Sequence, residues 1–172
     1  MERTHEPARD LADPKELLLG FLDNYRSVVV AKLDGLPDAD LRASRLPSGW
    51  VPLALLKHLL FMERRWLRWG FLAEPVADPF GDSDDRDRWA VGPDETLAGL
   101  AAALEETGRD TRAIAGAARL ADVSRPGGRF PADDPRPRPT LGWILVHVLQ
   151  EYARHAGHLD IARELVDGAT GE

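Results

Sequence analysis

Apolar positions recur at helical spacing in separate stretches of the chain. In the first, Leu17, Leu18, Phe21, Leu22, Tyr25, Val28, Val29 and Leu33 share one face. Asp13 ahead of Pro14 gives an N-cap followed by proline at the first helical position, and Gly35 stops the pattern, so a helix is expected over 14–34. Pro37–Leu41 can hold a short helical turn. A second long helix is expected from Pro52 to Leu72, with Leu53, Leu55, Leu56, Leu59, Met62, Trp66 and Trp69 as its apolar arc and Lys57, Arg64, Arg65 and Arg68 as its polar face. A third is expected from Asp94 to Ala117 along Leu97, Leu100, Leu104 and Ile114, weakened by Gly99, Gly108 and Gly116. The longest and most periodic stretch opens at Thr140, which reads as an N-cap, runs to Val166 and closes at Gly168.

Between these stretches the pattern breaks. Residues 74–93 carry Pro75, Pro79, Gly81, a run of Asp and Arg, and Trp89, which reads as a long surface loop. Residues 119–139 are again irregular, and a hairpin around Gly127-Gly128 would turn Val123 and Phe130 inward. Four amphipathic helices and two long connections predict an all-α four-helix bundle. Long connections need not join antiparallel neighbours, so an up-down-down-up order is allowed. The expected domain is single and spans 1–172, with 1–12 as a flexible N-terminal tail.

The informative departures are titratable groups on apolar faces. With His147 as origin and about 100° per residue, Glu151 falls near 40°, His158 near 20° and His155 near 80°, where the apolar residues of the same helix cluster at roughly 60–120°. His155 therefore sits near the centre of the buried face, and Glu151 lies one step off it. A carboxylate in a core is costly unless it is paired or metal-bound. Glu151 and His155, at i and i+4, either form a buried hydrogen bond or offer one oxygen and one nitrogen to a divalent ion. His58 borders the apolar arc of the second long helix. It is either an ordinary core histidine or the third donor of a site between facing helices, an arrangement that leaves open positions as catalytic sites do. Glu63, also inside that arc, either pairs with an arginine or accepts from a ligand histidine. Trp50 and Trp89 could line a pocket mouth.

Charge and composition narrow the chemistry. Twenty-two basic against 29 acidic residues give a net charge of −7, which disfavours a phosphate backbone as partner. The chain has no cysteine, so disulfides, thiolate metal sites and a cysteine nucleophile are excluded. No apolar run is long enough to span a membrane, and the polar start Met1–Glu6 offers no secretory segment, so a cytoplasmic location is expected. Phosphate-loop, dinucleotide and serine-hydrolase motifs are absent.

The segments His58-Leu-Leu-Phe-Met-Glu-Arg-Arg-Trp66 and Glu151-Tyr-Ala-Arg-His155-Ala-Gly-His158 together resemble the DinB-like family of four-helix-bundle metalloenzymes, in the actinobacterial branch near mycothiol-dependent maleylpyruvate isomerase. The resemblance runs from the first helix to the last. It implies an up-down-down-up bundle that is often dimeric. Many members bind metal through three histidines; the thiol-dependent branch uses His, Glu and His, and the matching positions here are His58, Glu151 and His155. His158 follows the motif as a candidate behind the ligands or in the pocket lining, with Glu63 as a second such candidate. His147 matches no ligand. The implied cofactor is a divalent metal, zinc first, with nickel, iron and manganese accepting the same donors. It would bind a low-molecular-weight thiol as co-substrate and hold it as thiolate for attack on an electrophile. The implied function is a metal-dependent S-transferase or isomerase of the mycothiol type. Alternatives are a non-catalytic metal-binding or stress-related bundle and a metal-free helical interaction module.

Overall fold

The computed structural model describes residues 5–170. They form α1 (Pro14–Leu33), a single-turn α2 (Asp38–Leu41), α3 (Pro52–Trp66), α4 (Leu97–Gly116) and α5 (Leu141–Asp167), and no strand occurs among the described residues. Of the predicted tail, residues 1–4 lie outside the described residues; Pro7 sits on α1 at Gly20.

The caps expected from sequence form. Asp13 Oδ1 accepts from the backbone N–H groups of Lys15 and Glu16, each at 2.9 Å. Thr140 accepts from Trp143 N, and Gly168 ends α5 in the left-handed conformation at φ 75°. Two boundaries differ. The second long helix ends its α-helical stretch at Trp66 and continues as a π-helical turn over Leu67–Phe71. The third begins at Leu97, not Asp94, because Thr96 takes the cap by accepting from Gly99 N. Glu95 is drawn away instead to Lys57 Nζ at 2.8 Å and to the Gly92 N–H.

The four long helices share one core, in which Leu22, Val29, Leu55, Leu59, Leu104, Ile144, Val148 and Tyr152 are fully enclosed. α1 packs most extensively on α5 and also against α4, and α3 packs against the same two helices. Lys15 at the start of α1 donates to the carbonyls of Ala115 and Ala118 at the end of α4. Arg163 near the end of α5 donates to the carbonyls of Lys32 and Asp34 at the end of α1.

The polar face expected for α3 needs correction. Lys57 and Arg65 are buried rather than solvated, because the connection 72–96 folds over that face and supplies Glu95 and Asp82 as partners. Val123 is corrected too: it is half exposed, while Phe130 packs against the core. Gly127 and Phe130 exchange both backbone hydrogen bonds as an isolated bridge, and Val123 pairs with Thr140, a register that turns its side chain outward.

The most buried charged group is Glu63. Its carboxylate accepts from Arg26 of α1, Thr111 of α4 and Tyr152 of α5, so one residue of each long helix meets in the core. Gly108 makes room for it: a Cβ there would lie 3.2 Å from the Arg26 guanidinium.

Candidate metal centre

Helix α3 carries His58, and α5 carries Glu151 and His155 one turn apart on one face. The rings of His58 and His155 approach edge to face with centroids 5.3 Å apart. One donor atom from each of His58, Glu151 and His155 lies within 4.8 Å of the other two. Two ring nitrogens and a carboxylate oxygen converging in this way form a donor set that suits a borderline divalent ion. The donor set therefore fits a metal.

Each donor is positioned from behind. His58 Nδ1 lies 3.0 Å from Asp82 Oδ2, and Asp82 in turn accepts from both terminal nitrogens of Arg65 at 2.5 and 3.0 Å. Burial pushes the Asp82 carboxyl up, but its hydrogen bonds to His58 and Arg65 and the Arg65 charge prevail and hold it below the ordinary aspartate value. An ionised acceptor at Nδ1 assigns the His58 proton there and leaves the lone pair on Nε2, the carboxylate–histidine pairing typical of metal ligands. Trp89, from the same connection as Asp82, stacks on His58 at 4.2 Å and meets His155 edge-on at 5.1 Å.

His155 is almost wholly buried. Its Nε2 lies 3.2 Å from Glu151 Oε2 and its Nδ1 lies 3.1 Å from His158 Nδ1. Burial first, and then the neighbouring His58 and His158, lower its pKa to about 4 against the pull of Glu151. It is thus neutral near pH 7, the form that carries a ligand lone pair. The other Glu151 oxygen lies 3.8 Å from His147 Nε2, and His147 is stacked on Trp143. Burial lowers the His147 pKa in spite of Glu151.

Of the residues singled out in the sequence, His58, Glu151 and His155 come together and His158 touches His155. Glu63 does not join them; it accepts from Arg26, Thr111 and Tyr152 and from no histidine among the described residues. Trp50 tilts over His158, and with Trp89, Gly49 and Arg88 it lines a cavity of about 430 Å³ that none of the three donors lines.

Sequence reasoning missed Asp82 and Arg65. Arg65 had a signal, since it stands seven residues after His58 on the same face of α3. Asp82 had none that separates it from Asp84, Asp85 and Asp87 in the same run.

A model of the mycothiol-S-transferase family matches residues 17–168. The chain belongs to the mycothiol S-transferase family. The match takes in α1 from Leu17 onward, the other three long helices, the three convergent donors and Asp82. No curated protein matches the chain. Among the described residues of this family member, no helix is long and apolar enough to cross a membrane.

Proposed function

We propose that the protein is a divalent-metal-dependent thiol S-transferase of the mycothiol type, with His58, Glu151 and His155 as its metal ligands and zinc as the metal. The observation that carries this reading is the convergence of those three donors, within 4.8 Å, in a chain of the mycothiol S-transferase family. A bound metal would lower the pKa of a coordinated thiol and hold it as thiolate at neutral pH. The chain's own part is positional. Asp82 and Arg65 fix the ring of His58, burial keeps His155 neutral, and Trp89 covers both rings against water. With no cysteine in the chain, the reacting sulfur has to arrive on a small molecule. Lys15 and Arg163, tying α1 antiparallel to α4 and parallel to α5, support an up-down-down-up four-helix bundle as the frame.

The test is metal analysis joined to a thiol assay. The purified protein should hold about one equivalent of transition metal, and Glu151→Ala and His155→Ala should hold under about 0.1 equivalent. Metal-loaded protein given mycothiol and a panel of electrophiles should consume thiol faster than His58→Ala does. Equal rates with metal bound would leave a binding protein, and full metal content in both alanine variants would overturn the ligand set.

A further inference from the structure

A second cavity, of about 830 Å³, is lined by none of the three donors. Its size falls within the ordinary range for small-molecule sites. The walls are aromatic: Trp66, Trp69, Phe80, Phe130 and Trp143, with Phe80 and Trp143 half exposed. Large apolar rings left open to solvent around one concavity mark a ligand surface. Trp66 and Trp143 also form its partition from the donor cluster, since both rings pack on His147.

Among the described residues, Arg129 is the cavity arginine whose guanidinium has neither an ion pair nor a hydrogen bond. Arg129 stacks its guanidinium over Trp66 at 4.2 Å and has no acidic partner among the described residues. The other cavity arginines are engaged, Arg136 with Asp134 and Arg138 with the carbonyl of Ser124. Burial and the nearby Arg65 charge lower the Arg129 pKa, so the group is partly desolvated without compensation.

Arg129 is held there by the backbone. Trp69 lies in the last turn of the helix, where carbonyls have no partner further along, and its oxygen accepts from Arg129 N at 3.2 Å. Gly128 makes the approach possible: at φ 54°, a Cβ would fall 2.2 Å from the Trp69 oxygen. The loop is thus pressed onto the turn in one register, and Arg129 projects over Trp66.

We infer that this cavity binds a flat organic anion, an aromatic carboxylate, with its ring among Trp66, Phe130 and Trp143 and its charge on Arg129. Arginine presents a planar fork that matches a carboxylate in two hydrogen bonds. Within the thiol-transfer reading this makes the cavity the seat of the electrophilic partner, a role that rests on that reading; the binding site itself does not.

The test is calorimetric titration of the full chain with 2-naphthoate and with uncharged 2-naphthamide. The wild type should bind naphthoate, and naphthamide at least ~10-fold more weakly. Arg129→Gln should lose ~10-fold or more in naphthoate affinity, while Arg129→Lys should fall between and keep the preference for the anion. Glu151→Gln, which strikes the metal reading, should bind naphthoate as the wild type does. Absence of binding at millimolar naphthoate, equal affinity for the two probes, or undiminished affinity in Arg129→Gln would each overturn the site. Binding that survives in Glu151→Gln alongside a failed thiol assay would leave the site standing and remove only its role in transfer.

Discussion

Glu63 and Glu151 are both carboxylates on core-facing positions of long helices, and their surroundings are opposite. Glu63 is completely enclosed, and both its oxygens are taken by donors from the three other long helices. Burial alone would push its pKa up, but the Arg26 charge and the hydrogen bonds of Arg26, Thr111 and Tyr152 outweigh that and hold it below the ordinary 4.5. Glu151 is about one-fifth exposed and stands between two histidines, one of which lies 3.1 Å from a third. The first cluster has its hydrogen-bonding capacity filled from within and joins the helices. The second is partly enclosed, and its carboxylate is partnered by histidines rather than by an arginine or lysine among the described residues. On the metal reading proposed above, what separates a structural buried carboxylate from a ligand is whether the fold itself completes its partners.

The comparison breaks first at Glu63. Replacing it by alanine leaves the Arg26 charge buried without its main partner and should cost about 3–5 kcal/mol, measured by urea unfolding. A loss below 1 kcal/mol would mean that the network does not hold the helices. The donor cluster should behave in the reverse way. His155→Ala should remove the bound metal, while in the metal-free protein it should cost less than Glu63→Ala, since it leaves a cavity but no fully buried unpaired charge. Metal content and thermal unfolding in chelator read the two effects separately.

Asp82 sharpens the contrast, because on that reading it would support a ligand, His58, without being one. Asp82→Asn should keep the helical fold and weaken metal affinity by roughly 10–100-fold, seen in competition with a chromophoric chelator. Acidification should separate the clusters again. The folded pKa of Glu63 is depressed, so its contribution is full above about pH 4.5 and is lost as pH falls through the lower folded value. Stability followed by denaturant midpoint should fall in that window in the parent and change much less in Glu63→Leu. The smallest effect is expected from Thr111→Val, which removes one of several donors to Glu63 and should cost about 1 kcal/mol.

Much of this was legible in the chain. Asp13, Thr140 and Gly168 mark helix ends because capping is decided by a few adjacent residues. Glu151 and His155 share a face because α-helical geometry alone puts i and i+4 side by side. Other features were fixed only in three dimensions. Glu63 could have faced a histidine or an arginine, and what settled it was Arg26, 37 residues away on another helix, arriving opposite it. Lys57 and Arg65 read as a solvated face until the connection 72–96 covered them. That connection also chose Asp82 from a run of similar aspartates and set Trp89 on His58. Helical periodicity is a property of neighbours in sequence, whereas the partner of a buried charge and the path of an irregular loop depend on which distant surfaces meet. The sequence by itself determined the helices and the candidate ligands on each, and the tertiary structure decided which polar groups are satisfied and which remain open to a ligand.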